Sequence, residues 1–359
     1  MIYLPNVLFF ILMTYLPFNL LAEDIFSLGD LYFETVDDNK AIPYGIVTTL
    51  LEDKQGILWI GTQEGLLKYD GYNFRHFRVL EEELNTKRDF HVQSLWQTPD
   101  GKLWIGTFAN GLMLYNPKTE KLTHFLHQKD TPNSLAHNSV TALVGDNQGG
   151  IWIGTHEGLQ YLNISTNNFT HYRHDINDPT SINHNYIRAL LIDDKNRLWV
   201  GSLSGLNRLS QGESKFERIY SDPNNTDSLA GKKIFQLYQA SNGNVWIATY
   251  KNGIAWITPD DETRRVTGNI TGQLDLNTIS IYSIIQPIEN EIWLGSLDTG
   301  ILVLNASTGK LLNHIKHDSA IHSSINLDSI GALMVDKSGL VWVGPVGRGL
   351  QGRRKRRGA

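Results

Sequence analysis

Leu103-Trp104-Ile105-Gly106-Thr107, with Gly111-Leu112 just beyond it, is one copy of a word that this chain writes seven times. The other copies start at Leu58 (LWIGT), Ile151 (IWIGT), Leu198 (LWVGS), Val245 (VWIAT), Ile292 (IWLGS) and Val341 (VWVGP). Each is followed within a few residues by a glycine: Gly65, Gly111, Gly158, Gly205, Gly253, Gly300 and Gly349. Successive tryptophans of the series, from Trp59 to Trp342, are 45 to 49 residues apart, and only Trp96 and Trp256 fall outside it. Seven copies at one period identify a repeat architecture.

Reading outward from the word gives the repeat unit. About ten residues earlier lies a β-rich run: 47–51, 92–96, 140–144, 187–192, 234–238, 281–285 and 330–335. A polar turn such as Pro99-Asp100-Gly101 joins that run to the word, which is the second strand. The glycine leads into a third strand (112–115, 159–162) and a fourth follows (122–126, 169–173). Nothing in the unit has helical periodicity, and four hairpin-linked strands form one antiparallel blade. The fold expected is all-β, a seven-bladed β-propeller of four-stranded antiparallel blades. Each Trp should pack between neighbouring blades, and each following glycine should take a backbone angle other residues resist. A parallel β-helix has much shorter coils.

Residues 32–36 align with fourth strands such as Phe169-Thr170-His171-Tyr172. They predict a lone N-terminal strand that closes the ring with three strands from the C-terminal end. The propeller then covers 23–350. Residues 351–359 read as a basic tail foreign to the fold, since Arg353, Arg354, Lys355, Arg356 and Arg357 lack apolar alternation. A short or missing third strand in blade seven is the expectation.

Composition is that of a globular protein, with 41% hydrophobic and 19% charged residues in 359. The absence of cysteine excludes disulfides, thiolate metal sites and thiol nucleophiles. Outside 353–357 the chain carries 27 basic against 37 acidic residues, which argues against nucleic acid as a partner. Residues 1–22 hold no charged side chain and an apolar core at 7–16, the pattern of a signal peptide cut after Ala22. An uncleaved anchor is the alternative, but the core is short for a span. The expected location is periplasmic.

The unit "V-x-x-L-x-x-D-x-x-G-x-L-W-I-G-T-x-x-G-L-x-x-Y" resembles the two-component-regulator propeller repeat over about residues 31 to 350. The resemblance implies the sensor region of a bacterial signalling receptor. Its output module, a hybrid histidine kinase or diguanylate cyclase, would lie outside this stretch, so the sequence reads as an N-terminal fragment. It also implies an oligosaccharide or other extracellular ligand, a homodimer in the full-length receptor, and membrane anchoring there.

No phosphate loop, ATP-binding box or cyclase signature is present, so no catalytic residue, cofactor or metal is assigned. The pairs His124/His127, His171/His174 and His314/His317 recur at one place in separate blades and read as structural. So do the turn acids Asp53, Asp100, Asp146, Asp194 and Asp336. Function is expected on the loops between second and third strands, which differ between blades while the strands do not. The candidate ligand-binding residues are Glu64, Phe108, Asn110, His156, Glu157, Tyr250, Lys251 and Asp298, with Gln63, Ser204 and Arg348 in the same ring. Two rival functions share this pattern: a protein-interaction propeller and a polysaccharide-active enzyme. A glycosidase would need two carboxylates about 5–10 Å apart.

Overall fold

The computed structural model describes residues 31–36, 46–77, 90–146, 148–268, 274–347 and 349–355. The expected signal peptide and Arg348 lie outside them. Seven four-stranded antiparallel sheets form the molecule, each with its strands side by side in the order in which they face outward from the centre. First strands run Val47–Glu52, Val92–Gln97, Val140–Gly145, Ile187–Ile192, Ile234–Gln239, Ile281–Ile288 and Ile330–Val335. Each packs beside the first strands of both neighbouring blades, and that of blade seven packs beside that of blade one. The ring is closed.

The core is divided into seven seams, and the repeated Trp sits in each. Trp59 packs with Val92, Leu103 and Ile105 of blade two, and Trp199 with Ile234, Val245 and Ile247 of blade five. Trp342 closes the circle against Val47, Leu58 and Ile60 of blade one. Close approach explains the glycine inside the word. A Cβ on Gly106 would lie 2.3 Å from Ser94 Oγ and 2.7 Å from Val140 Cγ1 of the next blade. The glycine after the word has positive φ in all seven blades, for example 74° at Gly111 and 122° at Gly158, the region where a Cβ is penalised.

Closure joins the two ends of the chain as expected, with the N-terminal Leu31–Thr35 as fourth strand of blade seven. The third strand of that blade corrects the reading of the basic tail. Gln351–Lys355 is a strand, paired with Val341–Pro345 on one side and along its whole length with Leu31–Thr35 on the other. Three causes are visible. Backbone pairing needs only amides and carbonyls, whatever the side chains. Gln351 is fully buried but satisfied: its Oε1 accepts from the Asn326 amide at 2.7 Å and its Nε2 donates to Ser324 O at 3.4 Å. The Arg353 guanidinium lies over the Trp293 ring, 5.1 Å from its centre. Gln351 repeats Gln160 of blade three, whose Oε1 and Nε2 take the Ala136 amide and Ser134 carbonyl.

The turn acids are structural, with one shift of position. Asp53 Oδ1 accepts from the Gln55 and Ile57 amides, and its Oδ2 accepts from Trp59 Nε1 at 2.9 Å. Asp336 serves Trp342 in the same way. In blade four the residue is Asp193, not the exposed neighbour Asp194. Blades two and five have Thr98 and Ala240 at this position, and the indole nitrogens of Trp104 and Trp246 have no hydrogen-bond partner. The histidines also serve the scaffold: Nδ1 of His127, His174 and His317 sits 2.6–2.8 Å from the carbonyls of Leu135, Ile182 and Ile325.

Candidate functional site: the loop face and the channel mouth

Antiparallel order places the loops between second and third strands on the same face as the connectors that enter the next blade. Backbone hydrogen bonds bolt the two together. The amides of Phe108, Leu203, Tyr250 and Val346 donate to the carbonyls of His91, Tyr186, Lys233 and Ser329, the residues that precede each first strand. Two residues further, every first strand carries a bulge. The ladder skips Thr48, Gln93, Thr141, Arg188, Phe235, Tyr282 and Gly331, one in each blade. A bulge re-aims the extra side chain, and all but Phe235 line the central channel, a cavity of 220 Å³.

These positions build an arc of two clusters. His91 stacks on Phe108 at 5.6 Å, and Phe108 meets His156 edge-on at 6.0 Å. His156 stacks on His137 at 5.4 Å and on Tyr186 at 4.0 Å, while its Nε2 is 3.0 Å from Ser139 Oγ. In the next two blades Arg188 lies over Phe235 at 4.8 Å, and Phe235 contacts both Tyr250 and Tyr282. Lys251 and Lys233 approach the Tyr250 ring at 5.4 and 5.3 Å.

Of the residues expected from sequence, the arc therefore unites Phe108, His156, Tyr250 and Lys251. Asn110 and Glu157 flank it; their amides donate to Thr107 Oγ1 and Thr155 Oγ1, which shape their loops. Glu64 and Asp298 are exposed tips on blades one and six. His91, His137, Tyr186, Arg188, Phe235 and Tyr282 were missed. They follow or flank the connectors, and only the bulge turns the second residue of a first strand into the channel. The usable signal was that this residue varies from Gly331 to Arg188 beside an invariant Val or Ile.

Burial holds His91 and His156 below their ordinary value of 6.5, with His137 and Arg188 adding to the effect at His156. The sign follows. Just below 6.5 the unfolded chain binds more protons than the folded one, so stability falls as pH drops through that value. The unfolding midpoint should fall between pH 7.5 and 5.5, and His156→Gln should flatten the dependence. An identical slope in the variant would refute the assignment. Asp100, held at about 2 chiefly by its hydrogen bonds from Thr98 and Lys102, acts only in a more acidic window.

Chemically the arc offers flat aromatic faces, ring nitrogens, hydroxyls and cations. The expected acids of the loop ring, Glu64, Glu157 and Asp298, stand on three different blades. Among the described residues no His, Asp and Glu group has the geometry to hold a metal ion.

Comparison with known proteins agrees with this architecture. A family model described as two component regulator propeller matches residues 41–64, 134–157, 181–204 and 228–251. A histidine kinase of Formosa agariphila is 30% identical over 105 residues, which is 28% of this chain and 8% of the kinase. An extracellular domain assigned to a hybrid two component system of B. thetaiotaomicron superimposes with a TM-score of 0.75 at 24% identity, over 90% of this chain and 42% of that one. One assigned to a one component system of the same organism gives 0.72 at 22%, over 90% and 40%. Virginiamycin B lyase of Staphylococcus aureus gives 0.65 at 12%, over 90% and 99%. At such identities the superpositions speak for the fold alone, and the chain spans less than half of the sensor structures and a small part of the kinase. Four blades of the ring thus match the two component regulator propeller model, and the same word recurs in the other three.

Proposed function

We propose that this propeller is the ligand-sensing module of an extracytoplasmic bacterial signalling receptor, with its output in another module, and that its ligand is a glycan. The observation that carries the reading is the arc of two aromatic clusters, His91 to Tyr186 and Arg188 to Tyr282. It concentrates the side chains that vary between blades on one face of an otherwise repeated scaffold. The family match supports a signalling context, and aromatic faces beside hydroxyls suit sugar rings. Among the described residues the acids of the loop ring, Glu64, Glu157 and Asp298, stand on three different blades, which favours recognition over hydrolysis.

A glycan array probed with the purified chain tests this. Phe108→Ala with Tyr250→Ala should weaken the strongest signal at least about tenfold, the cost of losing stacking contacts, without moving the unfolding midpoint. No bound polysaccharide should be cleaved. Turnover abolished by Glu64→Gln or Glu157→Gln would make the protein an enzyme instead. Binding that depends on His124 and His171 but not on the arc would place the site on the outer strands.

A further inference from the structure

The chain is acidic overall, with 32 basic against 37 acidic residues, yet one sector of the loop face holds cations without acids. A cleft of 510 Å³ beside the second loop of blade five is lined by Lys232, Lys233, Lys251 and Arg265, with Tyr250 between them and, among the described residues, no Asp or Glu. The neighbouring Asp222 turns its carboxylate onto the Asn224 amide at 2.9 Å and offers Arg265 only its main-chain carbonyl. Lys233 and Lys251 are thus held at one Tyr250 ring with no countercharge in the cleft.

The same imbalance continues into the channel. Tyr250 touches Phe235, and Arg188 lies over the same Phe235 ring. Among the described residues the buried Arg188 Nε has no hydrogen-bond partner, and none of the side chains lining the channel is a carboxylate. Ring order puts blade four opposite blades seven and one, whose bulge positions Gly331 and Thr48 line the same channel as Arg188. Like charges gathered at short range, and a half-buried guanidinium with an open donor, are arrangements that an anionic ligand relieves.

We propose that the loop face takes an oligomeric acid, a glycan chain bearing carboxylate or sulfate groups. One acidic group enters the channel mouth at Arg188, sugar rings lie along Phe235 and Tyr250, and further acidic groups sit over Lys233 and Lys251. The proposal rests on the reading of this face as a glycan site and adds the charge of the ligand and its direction across the disc.

Calorimetric titration of the full chain distinguishes the cases, with trigalacturonate, a sulfated trisaccharide and a neutral trisaccharide as probes. One of the acidic probes should bind at least about tenfold more tightly than the neutral one, and its affinity should fall with added salt. Which acid wins tells carboxylate from sulfate. Arg188→Gln and the double variant Lys233→Glu, Lys251→Glu should each weaken it at least about tenfold. Lys118→Glu, on the turn between third and fourth strands, should leave it unchanged. A neutral probe that binds as well as both acids overturns the charge and leaves glycan sensing standing. So does acid binding indifferent to Arg188 and the lysines. An oligothymidylate that displaces the sugar acids would make the site one for nucleic acid, and no binding by any probe rejects the proposal outright.

Discussion

A chain ended after Leu350 should fail to form a stable monomer, whereas one ended after Lys355 should behave as the full protein does. The third strand of blade seven, Gln351–Lys355, lies between the second strand and the N-terminal Leu31–Thr35. Without it the N-terminal strand has no sheet to join, and Phe33 leaves the seam it shares with Trp293, Ile330 and Val341. The loss includes the buried hydrogen bonds of Gln351 to the 324–326 connector. Burying an aromatic side chain such as Phe33 is worth about 3–5 kcal/mol by large-to-small substitution. With the strand pairing added, the deficit is comparable to a total stability of about 5–15 kcal/mol. The exposed edges of a two-stranded blade should also drive association. Size-exclusion chromatography and thermal melts of the two chains decide the matter. If the chain ending at Leu350 runs as a monomer and melts within a couple of degrees of the longer one, the N-terminal strand does not depend on its partner and closure is weak.

Asp193→Ala should be the most damaging single substitution in the turns, at about 3–5 kcal/mol. The carboxylate is buried and accepts four hydrogen bonds: from the Lys195 and Arg197 amides, from Arg197 Nε at 2.6 Å and from Trp199 Nε1 at 2.8 Å. Its removal orphans two amides and an indole inside the seam between blades four and five. Arg197 keeps only Asp261, at 2.8 Å. Adjacent Asp194 is exposed, and Asp194→Ala should stay within about 0.5 kcal/mol of the parent, as surface changes do. Urea denaturation read by tryptophan fluorescence separates the two, provided the slope is unchanged. Equal midpoints for the two variants would mean that the turn tolerates the loss as blades two and five tolerate Thr98 and Ala240.

Those two blades show why the turn acid was only partly legible. The Asp that accepts from the Trp indole precedes it by six residues in blades one, four and seven. Asp194 lies one position late, and sequence offers no reason to prefer its neighbour until the hydrogen bonds are seen. The basic tail is the sharper case. The run of arginines hides the continuation of Gly158-Leu159-Gln160 in Gly349-Leu350-Gln351, because the strand is held by the backbone demand for a partner beside Leu31–Thr35, which side-chain pattern does not carry.

The seven blades, their four strands, the Trp seams and the shared closing blade are all legible in the repeat alone. A repeat states each local rule seven times, and a period-two pattern needs no distant information. It also located the variable loops, because Phe108, His156, Tyr250 and Lys251 stand where the copies disagree. Only the tertiary structure decided which variable residues meet. Arg188, Phe235 and Tyr282 sit inside strands whose alternation hides them, and the bulge that frees them from the ladder exists only where seven first strands converge on one channel. Proximity around a ring is set by closure between residues more than three hundred positions apart, such as Leu31 and Lys355, and no local pattern carries that distance.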